Sequence, residues 1–522
     1  MSRGTDSDLS PHRIDGPRSA LQQVRILARQ TAVLVSSGVV SYAGWLLLNV
    51  LLARSLGAEG FGSWAIAFSV AQLLSTIGLL GADWIVMRQG SYFHGIGDVA
   101  RLRRTIHVAL KLAGTSLLVL GALLFVGAEK VASGVFHDPS MTSLLRLTAV
   151  IVPVIGVRQV FVYGTQAFKR MKDAAINRNI LQPLVRLVFV SIALLIDPSP
   201  VSAYVGLLIA EILLAVAAAW VLNRRIPIFG TTGDVSAREL IRTALPAWGS
   251  RLAGQARGQI FPILIGAFSS IADSGVFVAA SRVAIAPASV VNSMNQVYIP
   301  LASDLYLQDR RDEFAAVFKG SAKWTFVLGV PLFVLMVAFP RQLMSVFGAD
   351  FASGSTALLI LAVGVLFQFG TGPVTVTLIV IGRPNLALLA YVLVIALEIT
   401  LGLLLIPSYG VVGAAIANAA GTTLNNVLPL AQVWWITRIS PYRLDFWKPA
   451  VAGLAAGIVA KVAVAVVSPP KDLVSAALAA ATIGVVYLGV ILGLRLDEHD
   501  RAMVNAVFRG DRPGADTGAT GP

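Results

Sequence analysis

Apolar stretches of about 20 residues follow one another along almost the whole chain, separated by short polar segments. About 20 helical residues are needed to cross a hydrocarbon core about 30 Å thick. Backbone amides that face lipid find no water, so each stretch must satisfy its hydrogen bonds internally, as a helix does. The stretches lie at residues 31–53, 63–87, 105–127, 144–168, 176–196, 201–222, 244–269, 277–300, 321–340, 354–381, 386–406, 410–436, 449–467 and 473–494. They predict an all-α integral membrane protein with about 14 transmembrane helices.

The composition excludes the other broad fold classes. Hydrophobic residues make up 56% of the 522 and charged residues only 13%, whereas soluble domains carry about a quarter charged residues. Too little polar surface remains for a soluble fold of this length. Residues 117–126 and 476–487 do not alternate polar and apolar side chains, as strands of a membrane barrel would.

The distribution of lysine and arginine predicts the orientation. The net charge of +14 is concentrated in every second connecting segment, as in cytoplasmic loops. The alternate segments hold Arg54, Lys130, Arg146, Arg341 and Lys471. Both termini are therefore expected on the cytoplasmic side. Basic residues are not interleaved with aromatic ones, so nucleic acid is not expected as a partner.

A weak internal repeat at an offset of 213 residues predicts the domain organisation. Gly62, Trp64 and Arg170 correspond to Gly275, Phe277 and Arg383. An even number of spans per repeat places a pseudo-two-fold axis along the membrane normal, with a central cavity between two six-helix lobes. The predicted units are a cytoplasmic N-terminal segment (1–30), an N-lobe (31–222), a cytoplasmic linker (223–243), a C-lobe (244–437), two further helices (449–494) and a disordered cytoplasmic tail (495–522).

No motif of catalysis or metal binding is present. The chain has no cysteine, no GxxxxGK[ST] and no HExxH, and its five histidines are scattered. The predicted outer loops are short, the longest covering residues 127–143, whereas membrane polymerases usually carry a large outer catalytic loop. We therefore predict a transporter with no catalytic residues, no metal and no cofactor other than a coupling H+ or Na+.

Arginines inside the predicted spans are the candidate substrate-binding residues. A cation at the bilayer centre costs at least about 2.5 to 3.5 kcal/mol unless it faces protein or water. Arg257 and Arg158 lie about 20 Å along their spans, Arg186 about 15 Å and Arg251 about 10 Å. Gln255 and Gln259 follow Arg251 at helical spacing, whereas Arg257 is rotated from it by about 120°. The full candidate set is Arg257, Arg251, Gln255, Gln259, Arg158, Arg186 and Arg282.

Other roles for these arginines are open from sequence. Arg251 can reach back to the cytoplasmic interface, and Arg158 and Arg186 can pair with acids. Two acids, Glu398 and Asp83, are candidates for binding the coupling ion, although Asp83 can instead form an ion pair near the inner boundary. Because guanidinium groups grip phosphate oxygens in pairs, a cavity lined by arginines predicts an anionic headgroup as cargo.

Three segments carry a resemblance to a known family. The segment 51–88 resembles the first helices of the polysaccharide-biosynthesis flippases. The segment 245–306 resembles their seventh and eighth spans, and the segment 346–361 resembles the connection between their ninth and tenth spans. These flippases belong to the multidrug, oligosaccharidyl-lipid and polysaccharide exporter superfamily. The similarity is a pattern of small and apolar residues over about 30–440, without an exact site motif.

The resemblance implies a flippase that moves undecaprenyl-pyrophosphate-linked oligosaccharide repeats from the inner to the outer leaflet of the bacterial cytoplasmic (inner) membrane. It implies alternating access for O-antigen, exopolysaccharide or capsule biosynthesis, with membrane lipid around the polyprenyl tail. A polysaccharide polymerase and a chain-length regulator are the protein partners it implies. A peptidoglycan-precursor flippase and a multidrug antiporter of the same superfamily are alternatives, and a membrane glycan polymerase is the alternative of a different class.

Overall fold

The computed structural model describes residues 17–168, 177–226, 233–286, 288–442, 446–467 and 473–493. Within these ranges the chain is helical with short connections and has no β-strand. The predicted all-α class is confirmed for this part of the chain. Lys169, Arg170 and Lys172, the first 16 residues of the predicted N-terminal segment, and the tail 495–522 lie outside the described residues.

The helices follow the predicted apolar stretches closely. In chain order they are α1 (Pro17–Leu79), α2 (Ala82–Gly95), α3 (Val99–Gly134), α4 (Met141–Gln166), α5 (Gln182–Ile196), α6 (Pro200–Arg225), α7 (Ala237–Phe268), α8 (Ile271–Ile285), α9 (Ala288–Leu307), α10 (Arg311–Ala338), α11 (Pro340–Ser345), α12 (Ser355–Thr371), α13 (Val374–Val380), α14 (Pro384–Thr437), α15 (Trp447–Val467) and α16 (Leu473–Gly493). A π-helical turn, Asn177–Leu181, precedes α5, and a 3₁₀ turn, Ala349–Gly354, precedes α12.

Two of the long helices are each a pair of helices joined at one glycine. Gly57 interrupts α1 with φ 69° and ψ −177°, and Gly410 interrupts α14 with φ 50° and ψ −125°. Positive φ is readily adopted only by glycine, so a single residue reverses the chain here without a loop. These two positions correspond to the predicted turns after the first and the eleventh span.

Three predicted spans are broken where sequence predicted continuous helices. The stretch 63–87 breaks at Leu80 and Gly81, whose φ angles are 48° and 79°. The stretch 277–300 is divided between α8 and α9, and 354–381 is divided at Gly372, where φ is 68°. The breaks bring backbone close to neighbouring helices, because a Cβ on Gly81 would lie 2.9 Å from the Cβ of Ala244. Close approach between helices, which hydropathy does not encode, explains the difference.

Length and hydropathy support a membrane location. Within the described ranges, nine helices have the length and apolar character needed to cross a bilayer. One of them, Pro384–Thr437, contains the eleventh and twelfth predicted spans, and another, Ser41–Leu79, overlaps the first two. Large apolar side chains also remain on the surface, among them Leu195, Val126 and Val466. The chain is a multi-pass membrane protein.

The first helix forms the centre of the packing. Its second part, 58–79, crosses α8 at a point where both helices carry glycine. A Cβ on Gly62 would lie 3.1 Å from the nitrogen of Gly275, and a Cβ on Gly275 would lie 3.0 Å from the nitrogen of Gly62. Either Cβ would also overlap a carbonyl oxygen, that of Ile271 or that of Ala58. The two backbones therefore touch as closely as helices can.

Candidate functional site

The helix α7 carries four of the seven predicted substrate-binding residues. It continues as one helix through Pro246 and Pro262. Gly249, Gly254 and Gly258 each face open space, with no atom within 4 Å of an added Cβ. Gly254 and Gly258 share one side of the helix, and this glycine face lies between Arg251 and Arg257, as their spacing along a helix requires, whereas Gly249 is on the opposite side.

Arg251 connects α7 to α2. Its Nη1 forms an ion pair with Oδ2 of Asp83 in the first turn of α2. Its guanidinium carbon lies 5.0 Å from the centre of the Tyr163 ring on α4, and Trp248, one turn earlier, donates from Nε1 to the carbonyl of Thr76 at 2.9 Å. The side chain of Arg251 keeps 33% of its surface exposed, whereas that of Asp83 keeps 2%. The structure therefore shows the ion pair that was the alternative role of Asp83.

Arg257 connects the same helix to α14. Its Nε donates to Oε1 of Glu398 at 2.9 Å, and its Nη2 donates to Oγ1 of Thr422 at 2.8 Å. The carboxylate fits because residue 421 is glycine, since a Cβ there would overlap Oε1 of Glu398. Oε2 of Glu398 is buried without a hydrogen-bond partner. Arg257 remains 21% exposed beside the glycine face.

Arg158 and Arg186 share one carboxylate. Nε of Arg158 lies 2.8 Å from Oε2 of Glu211, and Nη2 of Arg186 lies 2.6 Å from Oε1. This cluster joins α4, α5 and α6, and the amide oxygen of Gln182 completes it when oriented toward both guanidiniums. The side chains are only 9%, 6% and 0% exposed, in the order Arg158, Arg186 and Glu211. Pairing with an acid, the alternative for these two arginines, is confirmed.

Arg282 on α8 differs from the other four arginines. Among the described residues no carboxylate lies within ion-pair distance of its guanidinium, and its Nε is buried without a hydrogen-bond partner. Its guanidinium carbon lies 5.5 Å from the centre of the Trp45 ring on α1. The hydroxyl of Tyr42 donates to the backbone carbonyl of Arg282, which fixes α1 against α8. A buried guanidinium without a counter-ion is costly unless an anion binds it.

The arrangement separates arginines that are neutralised and enclosed from those that remain available. Arg158 and Arg186 are enclosed and paired with Glu211, so they stabilise the contact of α4, α5 and α6. Arg251 and Arg257 are paired but accessible from the glycine face, and an anion there can compete with their carboxylates. At Arg282 an anion would not have to displace a carboxylate of the described residues. This gradation describes a site in which three acids neutralise part of the positive charge and an anion can neutralise the remainder.

The two predicted glutamines are placed differently. Gln255 is partly buried, and Oε1 of Gln259 is buried without a partner. Thr422, Tyr42, Trp45 and Tyr163 were not predicted as site residues. Tyr42 and Trp45 lie three residues apart in an otherwise apolar span, a spacing that puts them on one helix face and was available from the sequence. For Thr422 and Tyr163 the sequence offered no comparable pattern of spacing.

The chain matches known proteins over most of its length. The family model described as polysaccharide biosynthesis protein matches residues 27–306. Stage V sporulation protein B of Bacillus subtilis is 22% identical over 504 residues, which is 90% of this chain and 96% of that protein. The probable low-salt glycan biosynthesis flippase Agl15 of Haloferax volcanii is 28% identical over 166 residues. That match covers 32% of this chain and only 35% of Agl15.

A solved structure shows the same fold. The lipid II flippase MurJ in its inward closed conformation superimposes with a TM-score of 0.71 over 88% of this chain and 98% of that one. The sequence identity is 14%, so the likeness concerns the fold.

Proposed function

Because this chain belongs to the polysaccharide biosynthesis protein family, we propose that it flips polyprenyl-pyrophosphate-linked oligosaccharides from the inner to the outer leaflet of the cytoplasmic membrane. It does so by alternating access, with both termini in the cytoplasm and no chemical step on its cargo. The names of the relatives, which include flippases, support the class of activity.

Arg282 is the observation that carries the proposal. It lies about 17 Å along α8 from Ile271, in the last turn of that helix. Its missing carboxylate leaves a positive charge for a ligand to neutralise, and a guanidinium fits the paired oxygens of a diphosphate. Arg251 and Arg257, with Gln255 and Gln259 on the same helix, supply further donors around the glycine face. Arg158 and Arg186 hold the helices that enclose the site.

The architecture we propose is 14 spans arranged as two six-helix lobes, 31–222 and 244–437, with α15 and α16 outside them. The reciprocal contact of Gly62 and Gly275 supports this two-lobe arrangement. Two residues related by a two-fold axis can contact each other only where they lie next to that axis. Glu398 and Asp83 are the proposed binding residues for a coupling H+ or Na+, and both already face an arginine. Release of that arginine would couple ion binding to cargo binding.

The test is reconstitution into liposomes that contain a polyprenyl-diphosphate-linked N-acetylglucosamine, with arrival in the opposite leaflet measured by an impermeant sugar-modifying enzyme. Arg257→Ala is expected to abolish flipping and Arg257→Lys to reduce it, because an ammonium lacks the planar fork. Arg282→Gln is expected to abolish it as well. Arg146→Ala is the control, because it removes an arginine of α4 that contacts Phe125 and is not among the proposed site residues, and it should leave the flipping rate unchanged. Normal flipping by the Arg257→Ala and Arg282→Gln proteins would contradict the assigned site.

A peptidoglycan-precursor flippase is the second candidate. The fold of MurJ is compatible with it, and its cargo would present the same diphosphate to Arg282. Competition between lipid II and a polysaccharide repeat for the reconstituted protein separates the two. Preference for lipid II would favour this candidate.

A further inference from the structure

Two positively charged groups from different parts of the chain lie close to the ring of Trp45. The guanidinium carbons of Arg186 and Arg282 lie 5.6 and 5.5 Å from the centre of its ring. Arg186 belongs to the enclosed cluster with Glu211, whereas Arg282 has no carboxylate among the described residues. The ring of Trp45 therefore lies close to a structural guanidinium and also to the one that remains available to a ligand.

The aromatic surface beside Arg282 is only partly covered. Trp64 and Phe68 lie 6.4 and 5.4 Å from Trp45, measured between ring centres, and both are buried. Trp45 itself and Tyr42 are partly exposed. By comparison, Arg224 lies only 3.7 Å from the centre of the Trp220 ring and covers its face. At 5.5 and 5.6 Å, the two guanidiniums stand farther from the centre of the Trp45 ring, and the residue keeps part of its surface exposed.

A flat aromatic surface next to an unpaired guanidinium matches the chemistry of a sugar joined to a diphosphate. The diphosphate oxygens can bind Arg282, and the apolar face of the adjoining sugar ring can pack on the indole. An alkyl chain is a poor occupant here, because it would leave the buried Nε of Arg282 without a hydrogen-bond acceptor. The Trp45 ring keeps its orientation through its contacts with Phe68, Trp64 and Arg186.

On the basis of the proposed function, we propose that Trp45 contacts the sugar attached to the diphosphate and determines specificity for glycosylated over bare polyprenyl diphosphates. Arg282 binds the diphosphate of either kind. The glycan is thus selected at its first sugar, at the junction of α1, α5 and α8.

Two probes of equal charge test this inference. One is farnesyl diphosphate linked to N-acetylglucosamine, and the other is the methyl diester of the same diphosphate, which keeps both negative charges and lacks the sugar. Equilibrium binding to the protein in nanodiscs is measured for both probes. Trp45→Ala should weaken the sugar-bearing probe about two- to tenfold and leave the methyl diester within about twofold. Trp45→Phe, which keeps an aromatic ring, should fall between the native protein and Trp45→Ala.

The controls distinguish the possible outcomes. Arg282→Gln should weaken both probes about tenfold or more, since both carry the diphosphate. Trp220→Ala removes a tryptophan that also contacts an arginine, on α6, and should change neither. An equal loss for both probes in Trp45→Ala, or no loss in a folded variant, would overturn the role of Trp45 and leave the proposed function intact. If the native protein bound neither probe, the proposed function would fail and this inference with it.

Discussion

Gly62 and Gly275 pack backbone to backbone, and each occupies the space that a side chain on the other would need. The contact is reciprocal in sequence as well as in space. Gly62 approaches Ile271 and Gly275 approaches Ala58, and each member of one pair lies 213 residues from its counterpart in the other. The offset found in the sequence thus relates two residues that touch, which fits α1 and α8 crossing on the proposed axis.

Gly62→Ala is expected to separate α1 from α8. The added Cβ would overlap the carbonyl of Ile271, so the helices must move apart at a cost of about 1 to 3 kcal/mol. The native chain contains no cysteine, so a single Ser274→Cys, fully buried beside this crossing, can report the change. Labelling by an impermeant maleimide should increase severalfold in the Gly62→Ala background. Gly249→Ala, where a Cβ meets no atom, should leave labelling unchanged, and equal labelling in all three proteins would contradict the prediction.

Glu211→Gln is expected to be far more damaging to stability than Arg158→Met. Loss of the carboxylate leaves two enclosed guanidiniums unpaired, at a cost of about 3 to 5 kcal/mol, whereas loss of Arg158 leaves a neutral pair of Arg186 and Glu211. Thermal unfolding in detergent measures both. Glu313→Gln, which breaks an exposed pair with Arg310, should change stability by less than about 1 kcal/mol. Similar melting temperatures for Glu211→Gln and Arg158→Met would refute this ordering.

Glu398→Gln is expected to abolish flipping driven by an ion gradient while binding of the diphosphate probes persists. The change removes the proposed ion-binding charge and releases Arg257, which is partly exposed and keeps access to solvent or ligand. Gly421→Ala should act in the same direction, since its Cβ displaces the carboxylate. Reconstituted protein with imposed H+ or Na+ gradients provides the measurement. Gly370→Ala is the matched control, and gradient-driven flipping by Glu398→Gln would exclude Glu398 from coupling.

Exchanging the charges of Asp83 and Arg251 tests the link between α2 and α7. Asp83→Arg alone places two cations together in a buried position and should destabilise the protein and stop transport. Adding Arg251→Asp should recover much of the stability, giving a coupling energy of about 0.5 to 3 kcal/mol in a double-mutant cycle. The same exchange at the exposed pair Arg310 and Glu313 should give a smaller coupling. Additive effects at positions 83 and 251 would mean that the pair does not contribute.

The sequence was sufficient to place most helices because hydropathy and the bilayer thickness act on each segment separately. For the same reason the turn at Gly57 fell between predicted spans and the turn at Gly410 fell at the first residue of one. The breaks at Leu80, Gly81 and Gly372 were missed, since the apolar pattern continues through them and only contacts between helices reveal them.

The arginines deep in the spans were found from the sequence, but the partners of their guanidinium groups were not. The rotation of Arg257 from Arg251 correctly indicated different directions, and the structure gives each its own acid, Glu398 and Asp83. Pairing across helices far apart in the chain depends on tertiary packing, so periodicity alone could not assign Glu211 to both Arg158 and Arg186. The same information was needed to see that, in the part of the chain that the structure describes, no acid forms an ion pair with Arg282. The roles of all these residues in cargo and ion binding stay predictions.

The distribution of acids among the buried arginines has an electrical consequence. Glu211, Asp83 and Glu398 oppose five arginines, so these eight side chains together retain two positive charges. A diphosphate diester carries two negative charges, and its arrival would leave the loaded group electroneutral. The outward movement of cargo would then do little work against the membrane voltage, which acts on net charge at about 2.3 kcal/mol per elementary charge per 100 mV. The voltage would act instead on the return of the empty carrier, the electrogenic half of the cycle.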